Sequence, residues 1–106
     1  MTILYESDSR QAKNDTIQLS DSLSNYNQVT FVVTLYEDNA SVAELKHNIH
    51  TQVETPTSST FGVTANIEEI ESSWLFSISG TSLTITDKSS ENWDNSMIGI
   101  SKIIGY

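Results

Sequence analysis

Two histidines, His47 and His50, are the first candidates for metal or acid-base chemistry in this chain. Neutral imidazole is a common ligand of transition metals, and it exchanges its proton near physiological pH. The two residues are three positions apart, so a helix would bring them together, whereas a strand would place them on opposite faces. No His-Glu-x-x-His pattern accompanies them. We therefore expect structural or exposed histidines and no metal site.

Nucleophilic catalysis would depend on serine, because the chain contains no cysteine. The serines lie in turn-like contexts, and none occupies the Gly-x-Ser-x-Gly elbow that exposes a nucleophile. The glycines form no phosphate-binding loop; they are Gly62, Gly80, Gly99 and Gly105. Paired carboxylates could hydrolyse a glycosidic bond, but no spacing positions such a pair. We predict a protein that is not an enzyme, with no catalytic residue and no cofactor.

Acidic residues cluster at Glu37–Asp38, at Glu68–Glu71 and in the polar stretch Asp87–Asn95. The last cluster could supply the oxygen ligands that calcium takes from flexible loops. It has neither the spacing nor the central glycine of an EF-hand, so solvated acids are the simpler interpretation. The polar stretches Thr55–Thr60 and Asp87–Ser96 are predicted to be loops.

Trp93 lies within the second of these polar stretches, where an exposed indole ring is costly unless something covers it. The ring could stack on a sugar or on a partner surface, with Asn92 and Asp94 supplying hydrogen bonds. It could instead fold back as a lid on the hydrophobic core. Asn92, Trp93 and Asp94 are therefore the candidate ligand-binding residues, and the lid is the competing structural interpretation.

Length and charge restrict the kinds of protein that this chain can be. It has 106 residues, enough for one hydrophobic core, so residues 1–106 are predicted to form a single domain. Its net charge of −9 argues against a nucleic-acid partner, because phosphate binding needs a basic surface. The N-terminal residues lack the apolar segment of a signal peptide, and no apolar run approaches the ~18 residues of a membrane span. We expect synthesis in the cytoplasm and no membrane insertion.

Alternation of apolar and polar residues predicts about seven or eight short strands. The clearest is Gln28–Glu37, in which Val29, Phe31, Val33 and Leu35 share one face. Other alternating segments are Ile3–Tyr5, Thr16–Leu19, Thr60–Ile67, Trp74–Ser79, Leu83–Ile85 and Met97–Tyr106. The adjacent Ile103 and Ile104 break the phase of the last segment, which indicates a bulge or a strand covered on both faces. The pattern predicts an all-β fold, an antiparallel β-sandwich of jelly-roll-like form.

The segment Asn39–Val53 fits two structures. As a strand it would turn Leu45, His47, Ile49 and Val53 toward the core. As a helix it would begin with the capping-box spacing of Ser41–Glu44 and continue with an apolar face. The all-β context favours the strand, and a helical turn at its start stays open.

Three segments carry a resemblance to a known class of protein: Asp15–Asn27, Gly80–Thr86 and Ile100–Tyr106. In order and spacing they resemble small β-sandwich modules of bacteriophage tail fibres, tail tips and related virion proteins. In those modules an SLSNY-like bend precedes a central strand, and the last strand is similar to I-x-K-I-I-G-Y. The likeness extends from about Ile3 to Tyr106, and its motifs are packing and turn motifs.

The resemblance implies a virion structural protein of a bacteriophage or prophage. Such a module assembles with itself, often as a trimer, and with other virion proteins, and in many cases it attaches to a saccharide of the host surface. The resemblance supplies no catalytic residues. The alternative function is a free-standing carbohydrate-binding module, which would use exposed aromatic residues in loops such as the one that carries Trp93.

Overall fold

The computed structural model describes residues 1–37, 45–54, 59–67, 70–91 and 97–106. This part of the chain forms eight strands: β1 (Thr2–Glu6), β2 (Thr16–Gln18), β3 (Gln28–Glu37), β4 (Leu45–Glu54), β5 (Thr60–Ile67), β6 (Ile70–Ser79), β7 (Ser82–Glu91) and β8 (Ile98–Gly105). Leu23–Asn25 form a 3-10 turn. No helix here has the length and apolar character needed to cross a bilayer.

The strands form two four-stranded sheets, and every pair of neighbours is antiparallel. Sheet A has the order β1-β8-β3-β4, and sheet B has the order β2-β7-β6-β5. The pairing of β1 with β8 and of β2 with β7 nests the two ends of the chain, as in a jelly roll, whereas β3–β4 and β5–β6–β7 pair as neighbours in sequence. The predicted antiparallel β-sandwich is confirmed.

The core between the sheets is built from the inward-facing residues that the alternation predicted. In β3 these are Val29, Phe31, Val33 and Leu35, and all are buried. Phe31 meets Phe61 and Phe76 from sheet B, and the three ring centroids are 5.1 to 6.0 Å apart. Burial of each large apolar side chain contributes ~1.5–3 kcal/mol, so this cluster is a principal contact between the sheets.

The phase break in the last strand is a bulge. Val32 pairs with Lys102 and Val33 pairs with Ile100, which leaves Ser101 as the extra residue of β8. Ile100 and Ile103 can therefore both lie in the core although they are three positions apart. Of the two alternatives predicted from Ile103 and Ile104, the register shift confirms the bulge, and the ends of β8 are also buried on both faces.

The polar stretch Asp87–Ser96, predicted as a loop, is a loop only in part. Asp87–Glu91 instead complete β7 and pair with Glu71–Leu75 of β6. Composition misled here because the inward positions Lys88 and Ser90 are polar like the outward ones, and the extra residue Thr86 shifts the alternation. Residues 92–96 lie outside the described part of the chain.

The strand interpretation of the ambiguous segment is confirmed for residues 45–54, which pair with all of β3 without a register shift. His47 is opposite Leu35 and His50 is opposite Val32, so the two histidine positions alternate across the sheet. Positions of opposite parity in a strand belong to opposite faces, as the strand interpretation predicted. The capping-box residues 41–44 lie outside the described residues.

Candidate interaction surfaces

The candidate ligand-binding residues Asn92, Trp93 and Asp94 lie outside the described residues, in the connection between Glu91 of β7 and Met97. Stacking of Trp93 and its role as a lid therefore both stay predictions. Among the residues that the structure describes, no group of three or more His, Asp or Glu side chains could hold a metal ion. The surfaces that can be built from described residues are the two outer faces of the sandwich.

The outer face of sheet B, here called face B, is polar and rich in hydroxyl groups. Its outward-facing residues include Thr16, Thr60, Thr64, Glu71, Ser73, Leu75, Ser77, Thr84, Asp87, Ser89 and Glu91. The hydroxyl oxygens of Thr16 and Thr84 lie 3.4 Å apart across β2 and β7. Glu71 stands directly opposite Glu91, and like charges in such a pair repel. Face B is therefore an open, negatively charged surface.

A shallow depression interrupts face B where Gly62 of β5 is opposite Leu75 of β6. Leu75 is 49% exposed and leans over the glycine, where an added Cβ would lie 3.1 Å from its Cδ2. The depression has a volume of about 400 Å³ and is also lined by Thr60, Phe61 and Thr86. It combines an apolar floor with hydroxyl groups at its rim.

The outer face of sheet A, here called face A, is apolar at one corner. We define the corner patch as Met1, Ile3, Ile104 and Tyr106, where Ile3 pairs with Ile104 across β1 and β8. Met1 is 83% exposed, Ile3 45% and Tyr106 48%, while Ile104 lies buried between them. Of the large apolar side chains that are exposed in the described residues, the one outside the patch is Leu75.

The corner patch has charged neighbours on face A. Glu6 and Lys102 are cross-strand partners on face A, and their carboxylate oxygen and ammonium nitrogen are 3.0 Å apart. Asp21 lies in the bend that follows Ser20, and Ser20 bonds to the main chain of Ile3 and Leu4 at the edge of β1. Glu54 of β4 is opposite Gln28 of β3, and Gln28 accepts from the Tyr106 amide, so a further carboxylate position belongs to this corner.

The bend that contributed to the sequence resemblance is organised by Asp21. Its carboxylate accepts hydrogen bonds from the Tyr26 hydroxyl at 2.9 Å, from the Ser22 amide at 2.8 Å and from the Asn25 side chain at 2.8 Å. These bonds, the Tyr26 bond foremost, hold the pKa of Asp21 below its ordinary value. The ring of Tyr26 packs on Gly105, where an added Cβ would lie 2.6 Å from ring atoms. The bend and the last strand thus form one packed unit.

The segment 7–15, here called the strap, leaves β1 and closes one end of the sandwich. Its Gln11 is buried and takes the place of a β-strand partner, because its Oε1 accepts from the Ile100 amide at 2.8 Å and its Nε2 donates to the Ile100 carbonyl at 2.9 Å. The same Nε2 donates to the Tyr5 hydroxyl at 2.8 Å. A buried amide satisfied in this way fixes the strap to sheet A.

Lys88 fixes the strap from the other sheet. Its Nζ donates to the carbonyls of Gln11 at 2.6 Å and Ile98 at 2.7 Å, and it lies 4.8 Å from the ring centroid of the buried Trp74. Sequence reasoning missed both Gln11 and Lys88, since each is a polar residue in a polar stretch. The available signal was weak: Lys88 pairs with Trp74 and so lies on the inward-facing side of β7.

The polar groups of Asp21, Gln11 and Lys88 make their hydrogen bonds within the fold, and these bonds hold the bend and the strap in place. The surfaces that face outward are the apolar corner patch and the hydroxyl-rich face B. Comparison of the chain with protein-family models gives no match, and comparison with curated proteins gives none either.

Proposed function

We propose that this protein is a structural module of a bacteriophage or prophage virion, a tail- or fibre-associated part that works by assembly rather than catalysis. The observation that supports the proposal is the corner patch. Exposed and contiguous apolar side chains on a small domain typically mark a contact surface. Assembly in the virion, with copies of itself and with other virion proteins, is the role that the sequence resemblance implies for such a surface.

The positions of the resemblance motifs also support this proposal. The bend at Asp21–Tyr26 and the final strand pack against each other through Tyr26 and Gly105. The amide of Asn27 donates to the carbonyl of Tyr106 at 2.8 Å, which ties the same two segments by main-chain contact. Motifs that maintain a packed unit are expected in modules that share a scaffold and differ in their loops.

Mass spectrometry of purified phage particles tests the proposal. Particles released from the source strain are banded by density, washed in high salt, and digested. We expect peptides of this protein in the particle band, at a constant ratio to the major tail protein. Recovery of the protein only from the soluble lysate, beside a cytosolic host protein as control, would exclude the virion function.

A second function, carbohydrate binding, is favoured by the depression on face B. Sugars present C–H groups and hydroxyls together, and the depression offers the apolar Leu75 with hydroxyls of Thr60 and Thr86 around it. The connection that carries Trp93 is the competing location for such a site. If the protein is part of a virion, the ligand would be a saccharide of the host surface. If it is a free-standing module, the ligand would be an unattached polysaccharide.

A glycan array followed by titration of any bound sugar separates these locations. Trp93→Ala would abolish binding if the indole ring stacks on the sugar, and Leu75→Asp would abolish it if face B is the site. Unchanged affinity with a lower melting temperature for Trp93→Ala would reject stacking and support the lid. Absence of binding to every glycan would count against the carbohydrate function as a whole.

A further inference from the structure

The depression on face B coincides with a bulge in β7. The register of β6 and β7 shifts after Leu75, which leaves Thr86 as an extra residue beside Asp87. Thr86 and Asp87 are therefore exposed one after the other, where a regular strand would alternate. Gly62, opposite Leu75 on the other side, contributes no side chain and so opens the depression. Bulges commonly re-aim side chains at functional sites, and this one directs two polar groups to the depression's side of the sheet.

The groups around the depression match those of a sugar. The half-exposed Leu75 offers hydrocarbon to the C–H groups of a sugar ring. The hydroxyls of Thr60 and Thr86 lie at the rim and can both donate and accept. Asp87 stands opposite Leu75 and adds a carboxylate, which accepts a hydrogen bond from the Lys88 amide at 3.0 Å. An ionised carboxylate only accepts hydrogen bonds, and it binds a cationic donor more strongly than a neutral one.

A row of hydroxyl groups leads away from the depression across face B. Thr60 is opposite Ser77, Ser77 is opposite Thr84, and Thr84 is opposite Thr16, so the row crosses all four strands. Neighbouring strands are about 4.8 Å apart, so the hydroxyls repeat at that interval. A ligand with hydroxyls along its whole length can follow this row. The arrangement favours an oligosaccharide over a single sugar.

The charge of face B decides which oligosaccharides can approach. Glu71 and Glu91 lie on the same face as Asp87, and the outward-facing residues described for face B include no lysine, arginine or histidine. The ammonium of Lys88 is directed inward to the carbonyls of Gln11 and Ile98. A glycan with carboxylate or phosphate groups would therefore be repelled, whereas a glycan with protonated amines would be attracted.

From these observations we infer that face B binds a glycan with free, protonated amino groups, its sugar ring on Leu75 and an ammonium on the carboxylate of Asp87. The inference rests on the proposed carbohydrate-binding function and names the chemical class of the ligand. A sugar ammonium brings a positive charge and three donors to the carboxylate. An N-acetylated amine brings one neutral donor, so the same sugar binds more weakly in its acetylated form.

Isothermal titration calorimetry of the whole chain with three oligosaccharides of equal length tests this inference. The ligands are a glucosamine oligomer, its N-acetylated counterpart and a galacturonic acid oligomer. At slightly acidic pH, where the amines are protonated and ordinary carboxylates stay ionised, we expect the glucosamine oligomer to bind at least about fivefold more tightly than the acetylated one. The galacturonic acid oligomer should not bind. The preference should shrink between about 0.05 M and about 0.5 M NaCl, because salt screens the exposed charges.

Two variants locate the selective charge. Asp87→Asn keeps the size of the side chain and removes its charge, so affinity for the glucosamine oligomer should fall roughly fivefold, to that of the acetylated oligomer. Glu91→Gln is the matched control, because it removes the same charge from the same face about 13 Å further along β7. It should change affinity less than about twofold. Unchanged melting temperatures by circular dichroism would show that both variants are folded.

The outcomes separate this inference from the carbohydrate function on which it rests. A preference for the glucosamine oligomer that only Asp87→Asn removes supports the inference. Equal affinity for the two glucosamine forms overturns it and leaves carbohydrate binding in place. Equal losses in the two variants, or equally tight binding of oligolysine, also overturn it, since they indicate attraction to an acidic surface without recognition of a sugar. Failure of the glucosamine oligomer to bind overturns it too, and the glycan array then decides whether carbohydrate binding fails with it.

Discussion

Face A and face B are outer surfaces of one sandwich, yet the outward-facing residues of their central strands differ in exposure to solvent. On face B, the outward-facing residues of β6 and β7 are exposed or half-buried, and all except Leu75 are polar. On face A, the outward-facing residues of β3 are buried: Thr30, Val32, Thr34 and Tyr36. The strap explains part of this difference, because Arg10 lies 4.7 Å above the Tyr36 ring and the carbonyl of Ser9 lies close over Gly99. The sandwich therefore has one covered face and one open face.

The difference in exposure means that a ligand or partner would make a different kind of contact with each face. Face B is solvated and acidic, so a ligand there must compete with water for hydroxyl and carboxylate groups. Face A is covered by the strap at one end and apolar at the corner patch, so contact there removes hydrocarbon from water. If the comparison is right, substitutions beneath the covered face are costly, and matching substitutions at exposed positions are cheap.

The largest effect is expected where the strap is held. Lys88→Met keeps the aliphatic stem and removes the amine that bonds the carbonyls of Gln11 and Ile98. Hydrogen bonds from charged donors contribute ~1.5–3 kcal/mol each, so we expect a loss of about 3 kcal/mol in the free energy of unfolding, measured in urea. Lys102→Met is the control and should cost less than about 1 kcal/mol, because its ion pair with Glu6 is at the surface. Equal small losses would show that Lys88 does not hold the strap.

Alanine substitutions at two glycines, one on each face, allow the faces to be compared directly. A Cβ at Gly99 would lie 2.5 Å from the main-chain oxygen of Ser9, so Gly99→Ala must displace the strap. We expect a loss of about 2 kcal/mol by urea unfolding, within the range for overpacking. On face B, the added Cβ of Gly62→Ala would press on the movable end of Leu75 and make an ordinary contact with the Trp74 carbonyl, so stability should change by less than about 1 kcal/mol. A larger loss of stability for Gly62→Ala than for Gly99→Ala would contradict the conclusion that the strap covers face A.

Two threonines of β3 test how the covered face satisfies its polar groups. The Thr34 hydroxyl donates to the Ser101 hydroxyl at 2.7 Å, whereas the buried Thr30 hydroxyl has no hydrogen-bond partner in the described structure. Thr34→Val should cost about 1 kcal/mol, since it leaves the Ser101 hydroxyl without this donor. Thr30→Val should leave the melting temperature unchanged or raise it. A clear loss for Thr30→Val would mean that its hydroxyl has a role that the structure does not show.

The smallest effect is a pH dependence at the bend beside the corner patch. The pKa of Asp21 is below its ordinary value of 3.8 in the folded chain, so the unfolded chain binds its proton first as the pH falls. The stabilisation from this carboxylate is complete above that value and is lost as the pH falls through the folded-state pKa. Melting temperatures between pH 5 and pH 2.5 should fall less steeply for Asp21→Asn than for the wild type. Equal slopes of melting temperature against pH for the two proteins would contradict the lowered pKa of Asp21.

The sequence was informative about strands wherever side chains alternate simply. β3 is predicted with its bounds because each inward position is apolar, and the bulge in β8 is visible because two isoleucines break the alternation. The end of β7 was missed because its inward positions hold Lys88 and Ser90, so no apolar residue marks the alternation. Local patterns report burial of hydrocarbon, and they carry little information about strands whose positions hold serine, lysine and acids.

The candidate surfaces were harder to predict, since they depend on residues that are distant in sequence. Gln11 bonds Ile100, and Lys88 bonds Gln11, so neither interaction leaves a local pattern. The corner patch joins Ile3 to Ile104 and Tyr106, which only the pairing of β1 with β8 brings together. Loop composition drew attention to Trp93 instead, and the role of that residue stays a prediction.

The nested pairing of β1 with β8 also imposes an order of events during synthesis. β5, β6 and β7 pair with neighbours in sequence, so they can associate as soon as they emerge from the ribosome. β1 has no partner in its sheet until β8 has been made, and Gln11 must wait for Ile100 in the same way. The corner patch does not exist before both chain ends are in place. A nascent chain therefore cannot present this surface, and any contact made through it must follow completion of the fold.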